Sequence, residues 1–256
     1  MWGAVIGDTV GSRYEFGNFR STEFEFFGPG CHFTDDTVCT AAVADILVNG
    51  RDPAATMQAW CRRYPTCSWG GRFAQWIHEE APAPYGSYGN GAAMRVSPAA
   101  FLNRRGRLAD ALVAADRVTA ITHDHPEGMK GARATTHAIW LAFQGESPET
   151  IAAAITETYG YDLSREVASI RETYEYNETC QRTVPEALVC ALEAADFEQA
   201  VRNAVSLGGD ADTLAAIAGA VAEPLHGIPP GFISFVENEI LRDAPDIRDV
   251  LRAMYA

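Results

Sequence analysis

Apolar positions recur along most of this chain at the three- and four-residue spacing of a helix face, and no stretch sustains the alternation of a half-buried strand. The pattern predicts helices over residues 2–10, 38–48, 52–64, 94–102, 108–121, 126–143, 148–159, 184–195, 197–207, 231–241 and 247–254. Asp52 stands at the cap, Pro53 takes the first helical position where a missing N–H is harmless, and Met57, Trp60 and Cys61 share one face until Pro65 stops the run. Ser147 caps 148–159, Pro185 opens 184–195, and Pro229-Pro230 precede 231–241. Residues 164–176 carry a weaker helical pattern with a charged face. Stretch 207–227 is different: every position from Leu214 to Ala222 is apolar or glycine, so its helix has no polar face to turn to water and belongs at the centre. Pro224 is expected to end it, and its apolar run is far shorter than the ~20 residues that cross a bilayer. Between the helices, residues 17–33 are a glycine- and aromatic-rich loop long enough to serve as a lid, 69–72 a turn, and 81–91 a second loop. With no linker and no repeat, the expectation is one all-α domain over residues 1–256, built from ten or more helices.

Two of these helices open on acids. Gly208-Gly209-Asp210-Ala211-Asp212-Thr213 leads into the central helix, and Thr34-Asp35-Asp36-Thr37 into segment 38–48. Acids at helix starts commonly cap free amides, so capping alone is one explanation. Carboxylates two apart cannot share a helix face. They converge only if Asp210 sits in a turn before the helix, which the two glycines allow. Convergent buried carboxylates then require a cation or a proton. Two corners of carboxylate and hydroxyl oxygen together match the preference of a hard cation such as Mg²⁺ and supply about enough ligands for two. Asp8, the one acid in segment 2–10, reads as structural, and Glu15, between Tyr14 and Phe16, as an acid whose pKa desolvation could raise. Gly86 to Gly91 can offer consecutive N–H groups to an anion, and His123-Asp124-His125 has the form of half a zinc site without a third ligand nearby, His125 being equally suited to capping the next helix.

The pair T-D-D-T and G-G-D-A-D-T resembles the signature of the ADP-ribosylglycohydrolases. Three further stretches are similar to that family's motifs, in family order: Gly3 to Phe16 (its opening helix and following acid), Ser87 to Arg95 (its Gly-rich substrate loop) and Thr122 to Ala132 (its histidine segment). The resemblance implies a compact, orthogonal multi-helix fold with a central dinuclear metal site. It implies Mg²⁺, two ions with Mn²⁺ possible, on Thr34, Asp35, Asp36, Asp210, Asp212 and Thr213. Glu15 or a metal-bound aspartate, Asp36, would be the acid/base. Substrate contacts would come from Gly70 and Gly71, from Gly86, Ser87, Tyr88, Gly89 and Asn90, and from His123. The implied reaction is hydrolysis of an ADP-ribosyl bond at the ribose anomeric carbon, on an arginine or serine side chain or a small conjugate. A silent relative used for binding or as a structural protein, and a phosphatase built on the same oxygen corner, are the competing classes.

Composition narrows the partners. The 256 residues are ordinary globular material, 47% hydrophobic and 21% charged, and the net charge of −14 argues against nucleic-acid or anionic-membrane surfaces. An ADP-ribose ligand must then be held by cations and backbone amides. Six cysteines without C-x-x-C spacing, and no secretory leader, read as free thiols of a cytoplasmic protein.

Overall fold

The structure is a computed structural model and describes residues 1–255. The described residues form fifteen α-helices and no named strand. The helices are α1 (Trp2–Gly11), α2 (Asp35–Asn49), α3 (Pro53–Arg63), α4 (Gly71–Trp76), α5 (Gly91–Met94), α6 (Ser97–Leu102), α7 (Leu108–Thr119) and α8 (Pro126–Phe143). There follow α9 (Pro148–Tyr159), α10 (Val167–Thr173), α11 (Cys180–Leu192), α12 (Phe197–Val205), α13 (Ala211–His226), α14 (Pro230–Phe235) and α15 (Pro245–Ala253). No helix among the described residues is long and apolar enough to cross a membrane, and the six cysteines are free thiols.

Helix α13 is the axis. It is buried from Ala211 to Ala222 and packs on α1, α11, α12 and α8. Its tightest partner is α1, because Gly3, Gly7 and Gly11, one helical turn apart, face Gly219, Ala215 and Ala211 in turn. A Cβ at any of the three glycines would strike the carbonyl of the opposing residue closer than real Cβ atoms approach. The helices therefore touch backbone to backbone, and the descending order of partners makes them antiparallel. That arrangement sets the C-terminus of α1, with Asp8 inside it and Glu15 just beyond, beside the N-terminus of α13, where Asp210 and Asp212 stand.

Several boundaries differ from the sequence expectation for local reasons. Segment 94–102 is two helices. Pro98 has no N–H for the Met94 carbonyl, and the Thr40 hydroxyl donates to that oxygen instead, at 3.4 Å. The turn at 69–72 is in part helix, α4 beginning at Gly71. Helix α11 starts at Cys180, four residues before the expected boundary, and carries Pro185 in its interior. The Cys180 side chain packs where a Cβ on Gly131 of α8 would stand, so close packing at α8, rather than the proline, fixes the start. Pro224 lies inside the last turn of α13, which runs on to His226 and stops at Gly227 (φ 73°). Segment 231–241 is α14 followed by a π turn, Val236–Ile240, closed by a Leu241 N–H to Val236 carbonyl bond of 2.8 Å. The weak pattern at 164–176 becomes helix only over α10.

Candidate active site

Asp8 builds the first corner. It is fully buried and accepts from the Thr34 N–H (2.9 Å), the Thr34 hydroxyl (2.7 Å), the Thr37 N–H (3.2 Å) and the Thr37 hydroxyl. It thereby clamps T-D-D-T to α1. Because the Thr34 hydroxyl donates to Asp8, its lone pairs stay available: one takes the Asp36 N–H at 3.3 Å, and the oxygen can also face a cation. Asp35 and Asp36 occupy the first turn of α2, and the Thr213 hydroxyl reaches Asp36 Oδ1 across the site at 3.4 Å.

The second corner is the glycine turn before α13. Gly208 and Gly209 both adopt φ of 68°, the conformation that lets Asp210 sit outside the helix and converge with Asp212. Asp210 occupies the cap position yet makes no capping bond. Its Oδ2 instead takes the Asn90 side-chain amide at 2.6 Å. Simple helix capping therefore does not explain this acid. Carboxylate oxygens of Glu15, Asp210 and Asp212 lie within 4.8 Å of one another, and Asp36 Oδ2 and Asp212 Oδ1 are buried without any partner.

Acids packed so closely hold their protons. Burial, then the charges of Asp212 and Asp8, push Glu15 up to about 8. Burial followed by the same two neighbours pushes Asp35 up to about 8. Burial raises Asp210 to about 6. Burial raises Asp36 and Asp212 as well, reinforced by Asp212 for the former and Asp210 for the latter. The donor set is entirely oxygen, deeply placed and provided with orphaned lone pairs. It fits a hard divalent cation and offers nothing to a soft one.

A cleft of about 270 Å³ joins these acids to the predicted substrate residues. Glu15, Asp35, Asp36, Asp210, Asp212 and Thr213 line it together with Gly70, Gly71, Ser87, Gly89, Asn90 and His123. Three predicted residues are not on its walls: Thr34 is buried behind them, and Gly86 and Tyr88 are exposed beyond them. The loop is not an open row of amides. The N–H groups of Gly86, Ser87, Gly89 and Asn90 are bonded to Asp124 Oδ1 (2.7 Å), the Thr122 carbonyl (3.3 Å), the Ser87 hydroxyl (3.2 Å) and the Glu178 carbonyl (2.7 Å). Only Tyr88 and Gly91 remain outside these bonds, so the loop is rigid before any ligand arrives.

The three residues of His123-Asp124-His125 have separate tasks. His123 is buried against the cleft with Nδ1 2.7 Å from the Thr122 hydroxyl, and burial and the nearby Arg95 cation hold it neutral, well below the usual imidazole range. Asp124 ties Gly86, and His125 Nδ1 caps α8 by accepting the Glu127 N–H at 3.1 Å. No three-ligand group among the described residues includes any of them. The loop at 17–33 is likewise not a free lid. Arg202 of α12 donates to the carbonyls of Thr22 (2.9 Å) and Phe24 (2.7 Å), and Phe26 and Phe27 stack on Phe232 and Phe235 of α14.

The ADP-ribosylglycohydrolase family model matches residues 1–255. The chain belongs to that family. It is 27% identical to the ADP-ribosylarginine hydrolase Tri1 of Pseudomonas putida (strain GB-1), over all of this chain and 80% of the relative. It is 26% identical to the ADP-ribosyl-[dinitrogen reductase] glycohydrolase of Rhodospirillum rubrum, over 98% and 94% of the two chains. A solved structure described as an ADP-ribosylglycohydrolase-related protein complex superposes with a TM-score of 0.75 at 25% identity, covering 99% of this chain and 94% of that one.

As an ADP-ribosylglycohydrolase, the chain carries features that sequence patterning did not single out. Arg95 is buried on the cleft wall, with its Nε on the Gly91 carbonyl, its Nη1 unpartnered and its guanidinium 5.2 Å from the Phe73 ring. Its place in G-A-A-M-R was the available signal. Tyr85, Tyr176 and Glu178 also line the cleft, and nothing in the local pattern around them announces it.

Proposed function

We propose that the protein is a hydrolase that removes ADP-ribose from a modified acceptor, an arginine or serine side chain or a small conjugate, by cleavage at the ribose anomeric carbon. The observation that carries this reading is the convergence of Glu15, Asp210 and Asp212 within 4.8 Å, with unpartnered oxygens on Asp36 and Asp212, in one cleft with Ser87, Gly89 and His123. Membership of the ADP-ribosylglycohydrolase family supports it, as do relatives named for hydrolysing ADP-ribosylarginine and modified dinitrogen reductase.

Thr34, Asp35, Asp36, Asp210, Asp212 and Thr213 would hold two Mg²⁺ or Mn²⁺ ions, which when bound supply positive charge to grip ribose hydroxyls and acidify a water. The protein's own residues do the rest. The rigid loop from Ser87 to Asn90 and the neutral His123 position the ligand without adding charge. Glu15, on the cleft wall and outside the proposed ligand set, gives its proton to the departing acceptor nitrogen or oxygen as the bond from the anomeric carbon breaks. Water oxygen forms the new bond to that carbon, and its proton passes to a carboxylate; Asp36, with its free Oδ2, would be placed for this in the ionised form that a bound cation favours. Asp8 keeps Asp36 in register by holding Thr34 and Thr37.

The test is release of free ADP-ribose from ADP-ribosyl peptides with Mg²⁺ and with EDTA. Metal-dependent release is expected. Release of inorganic phosphate in its place would move the protein to the phosphatase class. Tight ADP-ribose binding without turnover would make it a silent binder.

A further inference from the structure

We infer that Asn90, at the end of the glycine loop, serves the acids rather than the ligand: it is a positioning residue whose side-chain amide holds Asp210 in place as a cation ligand. The inference rests on the cation reading of the two acidic corners given above. Every N–H of Asn90 is already spent within the protein. Its backbone N–H donates to the Glu178 carbonyl at 2.7 Å. Its side-chain amide donates to Asp210 Oδ2 at 2.6 Å and to the Thr183 hydroxyl at 3.2 Å. An amide nitrogen carries two hydrogens, so no donor is left for a substrate. The residue is buried, and the chain around it is fastened. The Cys180 N–H donates to the Tyr88 carbonyl at 2.9 Å and Gly89 pairs with Thr179 in an antiparallel bridge, so the loop is tied to the segment that opens α11.

The bond to Asp210 decides where that acid points. A carboxylate at the cap position of a helix ordinarily turns to the free amides of the first turn. Asp210 makes no such bond, and the Asn90 amide supplies the donor that holds it elsewhere. Held this way, Asp210 keeps a carboxylate oxygen within 4.8 Å of those of Glu15 and Asp212. A hydrogen bond to one oxygen of a ligating carboxylate fixes the direction of the other, and loss of such a partner weakens metal binding. Because the amide is neutral, it orients Asp210 without cancelling the negative charge that a cation needs. Thr183 completes the device. Its hydroxyl donates to the Asn177 carbonyl at 3.2 Å and so turns a lone pair to Asn90. Thr183 is fully buried and lies outside the lining of the cleft, so a change there reaches the acids through Asn90.

The experiment titrates Mn²⁺ calorimetrically into the metal-stripped wild type, Asn90→Ala, Thr183→Val and Thr183→Ser, and titrates ADP-ribose into the same proteins in EDTA. Asn90→Ala should lose about 10- to 100-fold in affinity for at least one ion. Thr183→Val, which removes the second acceptor of the Asn90 amide, should lose about two- to fivefold, and Thr183→Ser, which keeps the hydroxyl, should retain wild-type affinity. A general loosening of the fold would not follow the hydroxyl in this way. Affinity for ADP-ribose in EDTA should be unchanged throughout. Unaltered Mn²⁺ affinity in Asn90→Ala, or a loss of ADP-ribose affinity in EDTA as large as the loss of Mn²⁺ affinity, overturns the inference and returns Asn90 to the ligand. Failure of the wild type to bind Mn²⁺ overturns the cation reading and this inference with it.

Discussion

At the scale of single residues the site is a problem in charge compensation. Glu15 and Asp35 have folded pKa values of about 8 because burial and neighbouring acids disfavour their charge. In the unfolded chain they titrate near ~4. Each therefore binds its proton more tightly when folded. Their protonated forms stabilise the fold at acid pH, and that stability is lost as pH rises from ~4 towards 8. In EDTA the melting temperature should fall between about pH 5 and pH 8, and Mg²⁺ should flatten the fall by standing in for the protons. A melting temperature that rises over this window, with or without metal, would show that the acids are compensated by other means. Glu15→Gln should lower kcat by about 10²-fold or more while ADP-ribose binding persists, as expected for loss of a proton donor. Unchanged kcat in stopped assays would remove Glu15 from the chemistry. The two acidic corners were legible in the sequence because each is local, a hydroxyl and carboxylates at a helix start. Asp8 was legible only as structural, since the threonines it orients are 26 and 29 residues away, and Arg95 was passed over although it ends G-A-A-M-R, because its burial on the cleft wall is set by folding.

At the scale of elements the decisive contact is α1 against α13. Both helices could be read from their apolar pattern. That they approach each other was not readable, because glycine spacing on one helix does not name its partner. Nor were the interior placements of Pro185 and Pro224, where tertiary packing outweighs proline's local preference. Gly7→Ala should destabilise the fold by about 2–3 kcal/mol, since its Cβ would meet the Ala215 carbonyl and nothing flexible can yield. Chemical denaturation measures this. A cost below about 0.5 kcal/mol would mean that the two backbones are not in contact.

At the scale of the whole molecule, one apolar core extends from Met1 to Met254 and takes in residues from nearly every helix. We propose that the chain is a single domain on that basis, and scanning calorimetry should show one unfolding transition whose calorimetric and van't Hoff enthalpies agree. Two resolved transitions would divide it. The fold class followed from periodicity, and the family resemblance supplied the site. What neither supplied is the cavity beside the catalytic cleft, because Phe16 and Tyr176 come to line it only through the folding of distant segments. The central claim is that the two corners form one cation site. The most direct test is calorimetric titration of the metal-stripped protein with Mn²⁺, on the wild type and on Asp212→Ala. The wild type should bind about two ions per chain, and the variant should stay folded but lose at least one with its turnover. Absence of binding by the wild type, or identical binding by a variant that keeps full activity, would contradict it.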